Sequence, residues 1–210
     1  SKLGHASSGT ATCTTAETCT RCGVVINAAT IYDHYVYACD VNGDLYVMPE
    51  VDLSDMVRIR NLGVVFQDMA YNPNDGLIYG VTMDNGVSTM YTVDKLTGEL
   101  TEVGMVGLTT NTLACGPDGT FYCNEFGTSK VYAFTLETMG QPVYMLEAAD
   151  EYDATFATNA EQAMEYNYET GKVVWTSCYI VEKFWGPMDY CSLSELDVTN
   201  NTYKRYNDLG

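Results

Sequence analysis

Four strands centred on an aromatic residue recur along the chain. They contain Tyr37 in YVYACD, Tyr79 in LIYGVTM, Tyr122 in TFYCNEF and Trp175 in KVVWTSC, at spacings of 42, 43 and 53 residues. Tight turns precede the last three: NPNDG (72–76), GPDG (116–119) and YETG (168–171). A second tyrosine follows each aromatic, at Tyr46, Tyr91, Tyr132 and Tyr190. Self-similarity at 40–50 residues, with four short strands per unit, is the pattern of β-propeller blades. Period-2 alternation lets each strand bury one face against a neighbouring unit, so no unit is stable alone.

The second unit serves as template. Its inner strand runs through GVVFQDMAYNP (63–73), and LIYGVTM (77–83) and TMYTVD (89–94) flank the Asn-Gly turn in DNGVS (84–88). KLTG (95–98) predicts a left-handed Gly98, and ELTEVG (99–104) closes the unit. The first unit overlays as GVVINAATIYD (23–33), YVYACD (35–40), DLYVMPEV (44–51) and MVRIRNLG (56–63). The expected fold is therefore all-β. Four antiparallel four-stranded blades cover about 27–63, 64–107, 108–147 and 148–210, after a small N-terminal Cys/His module at 1–26. GVV recurs at 23–25 and 63–65, and LG at 62–63 and 209–210. That predicts whole blades with no spare strand to fasten a ring. Either four blades close on themselves, or they form an arc of a larger ring whose edges need partners.

Net charge is −18, from 28 acidic and 10 basic residues. Such a balance argues against a nucleic-acid partner, since phosphate binding needs clustered Lys and Arg. No apolar run approaches the roughly 18 residues that span a bilayer. No charged-then-apolar leader opens the chain, and its first residue is Ser1, which suggests a processed chain or a piece of a longer one.

Two insertions fall in the fourth unit: the acidic connection AADEYDATFATNAE (148–161) and YIVEKFWGP (179–187), read as a loop between its second and third strands. In a propeller the connections into strand one and between strands two and three share a face, where binding residues gather on a rigid scaffold. The expected ligand-binding set is Phe184 and Trp185, flanked by Asp150, Glu151, Tyr152 and Asp153. The alternative is that Trp185 covers the edge of its own blade.

The first 26 residues depart from the blade pattern. The stretch GH…G…ATCTTAETCTRCG resembles a Cys/His repeat of large surface proteins of Gram-positive gut anaerobes, where GH and C-x5-C-x2-CG recur in tandem; here one copy covers about 20 residues. Cys19-x2-Cys22 can grip one metal ion from a tight turn, and Cys13 with a histidine would complete a tetrahedral Cys₃His zinc shell. The resemblance places His5 in the GH position; His34 is the rival ligand. Such a site folds with its metal. A disulfide among the three cysteines, or free thiols, are the competing readings. Cys178 and Cys191, at nearly mirrored distances from 179–187, are expected to pair as a cross-strand disulfide if their Cα atoms lie within about 7 Å. Cys39, Cys115 and Cys123 read as small buried hydrophobes.

Catalytic signatures are weak. His5 and His34 are the only histidines, so a nucleophile–histidine relay has almost no base, and there is no P-loop and no HExxH. DVNGD (40–44) resembles the start of a calcium loop but lacks the Glu at its twelfth position, so a hairpin turn is the stronger reading and calcium a weak one. The second unit, DMAYNPNDGLIYGV…STMYTVDKLTGELTEVG, resembles a broad group of bacterial secreted propellers, with quinoprotein-like and lactonase-like members whose metal and cofactor residues have no counterparts here. The leading expectation is a non-enzymatic binding or adhesion module of a secreted or cell-surface bacterial protein. It would recognise a glycan or protein through 148–161 and 179–187. The alternatives are a carboxylate- or metal-dependent hydrolase or lyase at the propeller channel, and a structural subunit of a filament or ring.

Overall fold

Asn85 and Gly86 both take positive φ, 50° and 79°. A two-residue hairpin turn of the primed type demands that pair, and it closes the strands at Asp84↔Val87. Gly98, with φ 69°, is left-handed as the KLTG turn predicts. Turns of this kind cut the chain into short antiparallel strands. The computed structural model describes residues 17–20, 25–27, 35–50, 52–148, 155–156 and 162–206, and among them every regular element is a strand. The fold class is the predicted one: all-β, with four antiparallel blades of the β-propeller.

The chain divides into two compact units, Ser1–Asn61 and Leu62–Gly210. In the first, β1 (Glu17–Thr18) and β2 (Val25–Asn27) form an antiparallel ribbon. There β3 (Tyr35–Cys39), β4 (Asp44–Pro49) and β5 (Val57–Asn61) form a meander. The stretch 23–33 predicts an inner strand for this blade; its residues 25–27 pair with β1 instead, and 28–34 lie outside the described residues.

The second unit holds three blades. One comprises β6 (Asp68–Asn72), β7 (Leu77–Asp84), β8 (Val87–Val93) and β9 (Leu100–Met105). The next comprises β10 (Ala114–Cys115), β11 (Phe121–Asn124), β12 (Lys130–Phe134) and β13 (Val143–Glu147). The last has β15 (Ala163–Asn167), β16 (Lys172–Lys183), β17 (Gly186–Asp197) and β18 (Thr202–Tyr206), with β14 (Thr155–Phe156) added on β16.

Alternation along β11 shows how the blades hold together. Phe121 and Cys123 enter a core with Ala70, Tyr79, Val81 and Met90 of the preceding blade. Tyr122, between them, enters a second core with Met164, Val173, Trp175 and Leu196 of the following one. Tyr79 meets Phe121 edge-on at 5.0 Å between centroids, and Phe121 stacks on Phe134 at 5.5 Å. Each such fully buried side chain contributes about 1.5–3 kcal/mol by leaving water. Trp175, fully buried, is the largest.

The second tyrosines have a positional meaning in three blades. Tyr46, Tyr91 and Tyr132 each pair with the residue after the central aromatic (Ala38, Gly80 and Cys123), and each sits at a register shift against the outer strand. A bulge there strengthens local twist. Tyr190 is the exception. In the last blade Thr176 pairs with Leu193, so Leu193 holds the equivalent place. Tyr190 lies three residues off the repeat because this blade's middle strands are longer.

Candidate functional site

The body of the last blade ends where its flanking strands end. β15 pairs with Lys172–Thr176 and β18 with Leu193–Asp197. β16 and β17 nevertheless stay paired to Lys183↔Gly186, leaving only Phe184 and Trp185 in the turn. Residues 179–187 are therefore not the expected loop but the end of a hairpin arm, flanked by β14 at Tyr179 and Ile180 and two-stranded from Val181 to the turn. From Ser177 to Lys183 it extends about 20 Å at 3.3 Å per residue. The β-branched and aromatic run YIV supports strand, and Gly186, with φ 119°, absorbs the strain of the turn.

At the tip Phe184 is 103% exposed and Trp185 75% exposed. Two large apolar side chains projected into solvent on a hairpin turn have no part in this unit's two cores. At the base, Ser177 and Ser192 are buried and bond through their hydroxyls at 3.0 Å.

The second insertion meets the arm. β14, within 148–161, pairs with Tyr179 and Ile180 at the arm's neck. Both ends of the insertion are clamped. Arg205 donates from Nη2 to the Ala148 carbonyl at 2.7 Å, and the Trp175 indole N–H donates to Gln162 Oε1 at 3.1 Å. Asp150, Glu151, Tyr152 and Asp153 lie outside the described residues.

The expected zinc ligands His5, Cys13 and Cys22, and the alternative His34, also lie outside them; Cys19 is described and buried. In DVNGD, Asp40 Oδ1 accepts from the backbone N–H groups of Asn42 and Asp44, both at 2.9 Å. Asp44 Oδ1 accepts from Arg58 and Asn61, both at 2.7 Å. These carboxylates serve the hairpin turn. Cys115 and Cys123 are buried as expected, whereas Cys39 is half-buried and Cys191 exposed. Cys178 and Cys191 are direct register partners.

Sequence reasoning missed one cluster. Where β6, β10 and β15 meet, Asp68 Oδ2 accepts from Leu113 N–H at 2.8 Å and Met164 N–H at 2.9 Å, while Oδ1 accepts from Met69 N–H. One carboxyl thus ties three blades. Burial pushes its pKa up to about 7 against these three donors, with the nearby Glu165 charge adding to the rise. Further along, the Tyr168 hydroxyl lies 2.9 Å from the Cys115 carbonyl and 3.3 Å from that of Tyr71, bridging the same three strands. Among the described residues, Asp68 feels the charge of Glu165 but is not paired with it through any described hydrogen bond. Both Asp68 oxygens are engaged by backbone N–H groups, which makes the residue a fastener and not a free acid.

No protein-family model and no curated protein matches the chain. Solved structures do resemble it. A chain of the nidogen/laminin complex aligns with TM-score 0.54 at 12% identity, over 84% of this chain and 60% of that one. An auxiliary nutrient binding protein from Bacteroides thetaiotaomicron aligns with TM-score 0.48 at 13% identity, over 84% of this chain and 42% of its own. A similar protein from Bacteroides ovatus gives TM-score 0.48 at 12% identity, over 85% and 43%. At such identity the nidogen/laminin likeness speaks to the propeller fold alone. The present chain spans less than two thirds of each of these structures.

Proposed function

We propose that the chain is a non-enzymatic binding module of a secreted or cell-surface bacterial protein, and that the arm of the last blade is its recognition element. One observation carries this reading. Phe184 and Trp185 stand exposed at the turn of a hairpin that runs past its blade. Aromatic side chains dominate the energetics of interface hot spots, and an anchor on a projecting turn suits insertion into a partner's pocket. A protein partner fits such a convex tip better than a glycan, whose recognition favours a concave site.

Intrinsic fluorescence tests it. The chain has two tryptophans, Trp175 in the core and Trp185 at the tip. Titration with a bound partner protein is expected to shift the Trp185 emission to the blue, and Trp185→Ala to remove the shift while circular dichroism stays unchanged. A partner that binds without disturbing Trp185 emission contradicts the assignment, and saturable shifts with oligosaccharides alone would make the ligand a glycan.

A further inference from the structure

Cys178 and Cys191 face each other across the neck of the arm as Cα partners in the β16–β17 ladder. An antiparallel ladder alternates two kinds of opposed pair. In one kind the residues exchange both backbone hydrogen bonds and their Cα atoms lie about 5.5 Å apart; in the other they exchange none and lie about 4.5 Å apart. Pro187 decides which kind this is. It pairs with Glu182 and has no N–H, so that position is not the hydrogen-bonded kind. The register runs without a shift from there to Cys178↔Cys191, four positions along, and so returns to the same kind. The same parity is expected from the two-residue turn, since the pair that closes such a turn, here Lys183 and Gly186, is the hydrogen-bonded kind. A Cα separation near 4.5 Å lies inside the range a disulfide spans.

The remaining described cysteines of this unit are poor rivals. Burial pushes the Cys115 and Cys123 thiols up to about 12, and the attacking species in disulfide chemistry is the thiolate. Cys191 is exposed. We infer that Cys178 and Cys191 form a reversible cross-strand disulfide that locks the neck of the arm beneath its aromatic tip.

The chemistry needs an external disulfide as oxidant, and a small-molecule disulfide suffices. The Cys191 thiolate attacks one sulfur of that disulfide, forming a mixed disulfide and expelling one thiolate. The Cys178 thiolate then attacks the Cys191 sulfur and expels the second. Two electrons and two protons pass from the cysteine pair to the oxidant, which leaves as two thiols. The link constrains the two strands with five ladder pairs between it and the turn, so it orders the tip in advance of binding. That consequence for recognition rests on the arm being the binding element; the link itself does not.

Peptide mapping tests the link. The full chain is treated with oxidised glutathione, remaining thiols are alkylated, and the protein is digested without reduction for mass spectrometry. The expected product joins the peptides of Cys178 and Cys191, lighter by two hydrogens than their sum and restored by dithiothreitol. Hydrogen exchange at the arm's amides is expected to slow by about tenfold or more on oxidation. Cys178→Ser is expected to leave Cys191 as its mixed disulfide with glutathione. Recovery of both cysteines alkylated, each carrying glutathione, or linked to other cysteines overturns the inference. The same map on the F184A/W185A variant separates the two claims, because the link is expected there even where partner binding is lost.

Discussion

Asp68 and Trp175 are single residues on which several segments depend. The folded state holds the Asp68 proton more tightly than the unfolded chain does, with a pKa raised from 3.8 to about 7. Its contribution to stability is therefore fully present below about pH 4 and is lost as pH rises through about 7, by at most about 4 kcal/mol. Asp68→Asn keeps an acceptor oxygen for the Leu113 and Met164 N–H groups and removes the titration. Chemical denaturation at pH 5 and pH 8 is expected to show a smaller loss of stability in the variant than in the wild type; equal losses would assign the pH dependence elsewhere. Trp175→Phe keeps most of the buried ring and deletes the indole N–H that holds Gln162. Its expected cost is about 1–2 kcal/mol, with faster hydrogen exchange at residue 162 and in the insertion that precedes it. Unchanged exchange there would mean that the Arg205 clamp on Ala148 suffices alone.

At the scale of elements, repeated chemistry was legible and its variation was not. Turn residues, central aromatics and alternation marked the blades because each is forced locally, by positive φ at Asn85–Gly86 or by a face that needs burial. The arm was hidden by Gly186-Pro187, which read as a loop boundary. A strand tolerates proline where no ladder hydrogen bond is needed from its nitrogen, and Pro187 occupies such a place. Tyr190 imitated the repeat for the same reason, since a lengthened hairpin moves a tyrosine out of phase without removing it. Asp68 carried no local signal, because its partners lie 45 and 96 residues away in sequence. If β14 braces the arm, replacing residues 155–156 by Gly-Gly should speed amide exchange at 179–180 and leave exchange in β6–β9 unchanged. Protection that persists at 179–180 would show the arm to be self-supporting.

Over the whole molecule, a net charge of −18 opposes compaction by self-repulsion. Raising NaCl from about 20 mM to about 200 mM screens charges beyond about 10 Å and is expected to raise Tm by a few degrees; a Tm that falls or stays constant would mean that local ion pairs outweigh the net charge. Described pairs such as Arg58–Asp44 and Lys172–Glu195 are too few to reverse that sign. If the proposed arm does bind a protein, this charge would favour a partner with a basic rim around an apolar pocket. On the proposed reading the three blades of the second unit carry the arm, and the arm makes the contact with the partner. The most direct test presents wild-type and F184A/W185A proteins side by side to arrays of extracellular proteins and glycans. The account predicts a protein ligand retained by the wild type and weakened about tenfold or more in the variant, whose fold is unchanged. Equal retention by both, or no ligand for either, would contradict it.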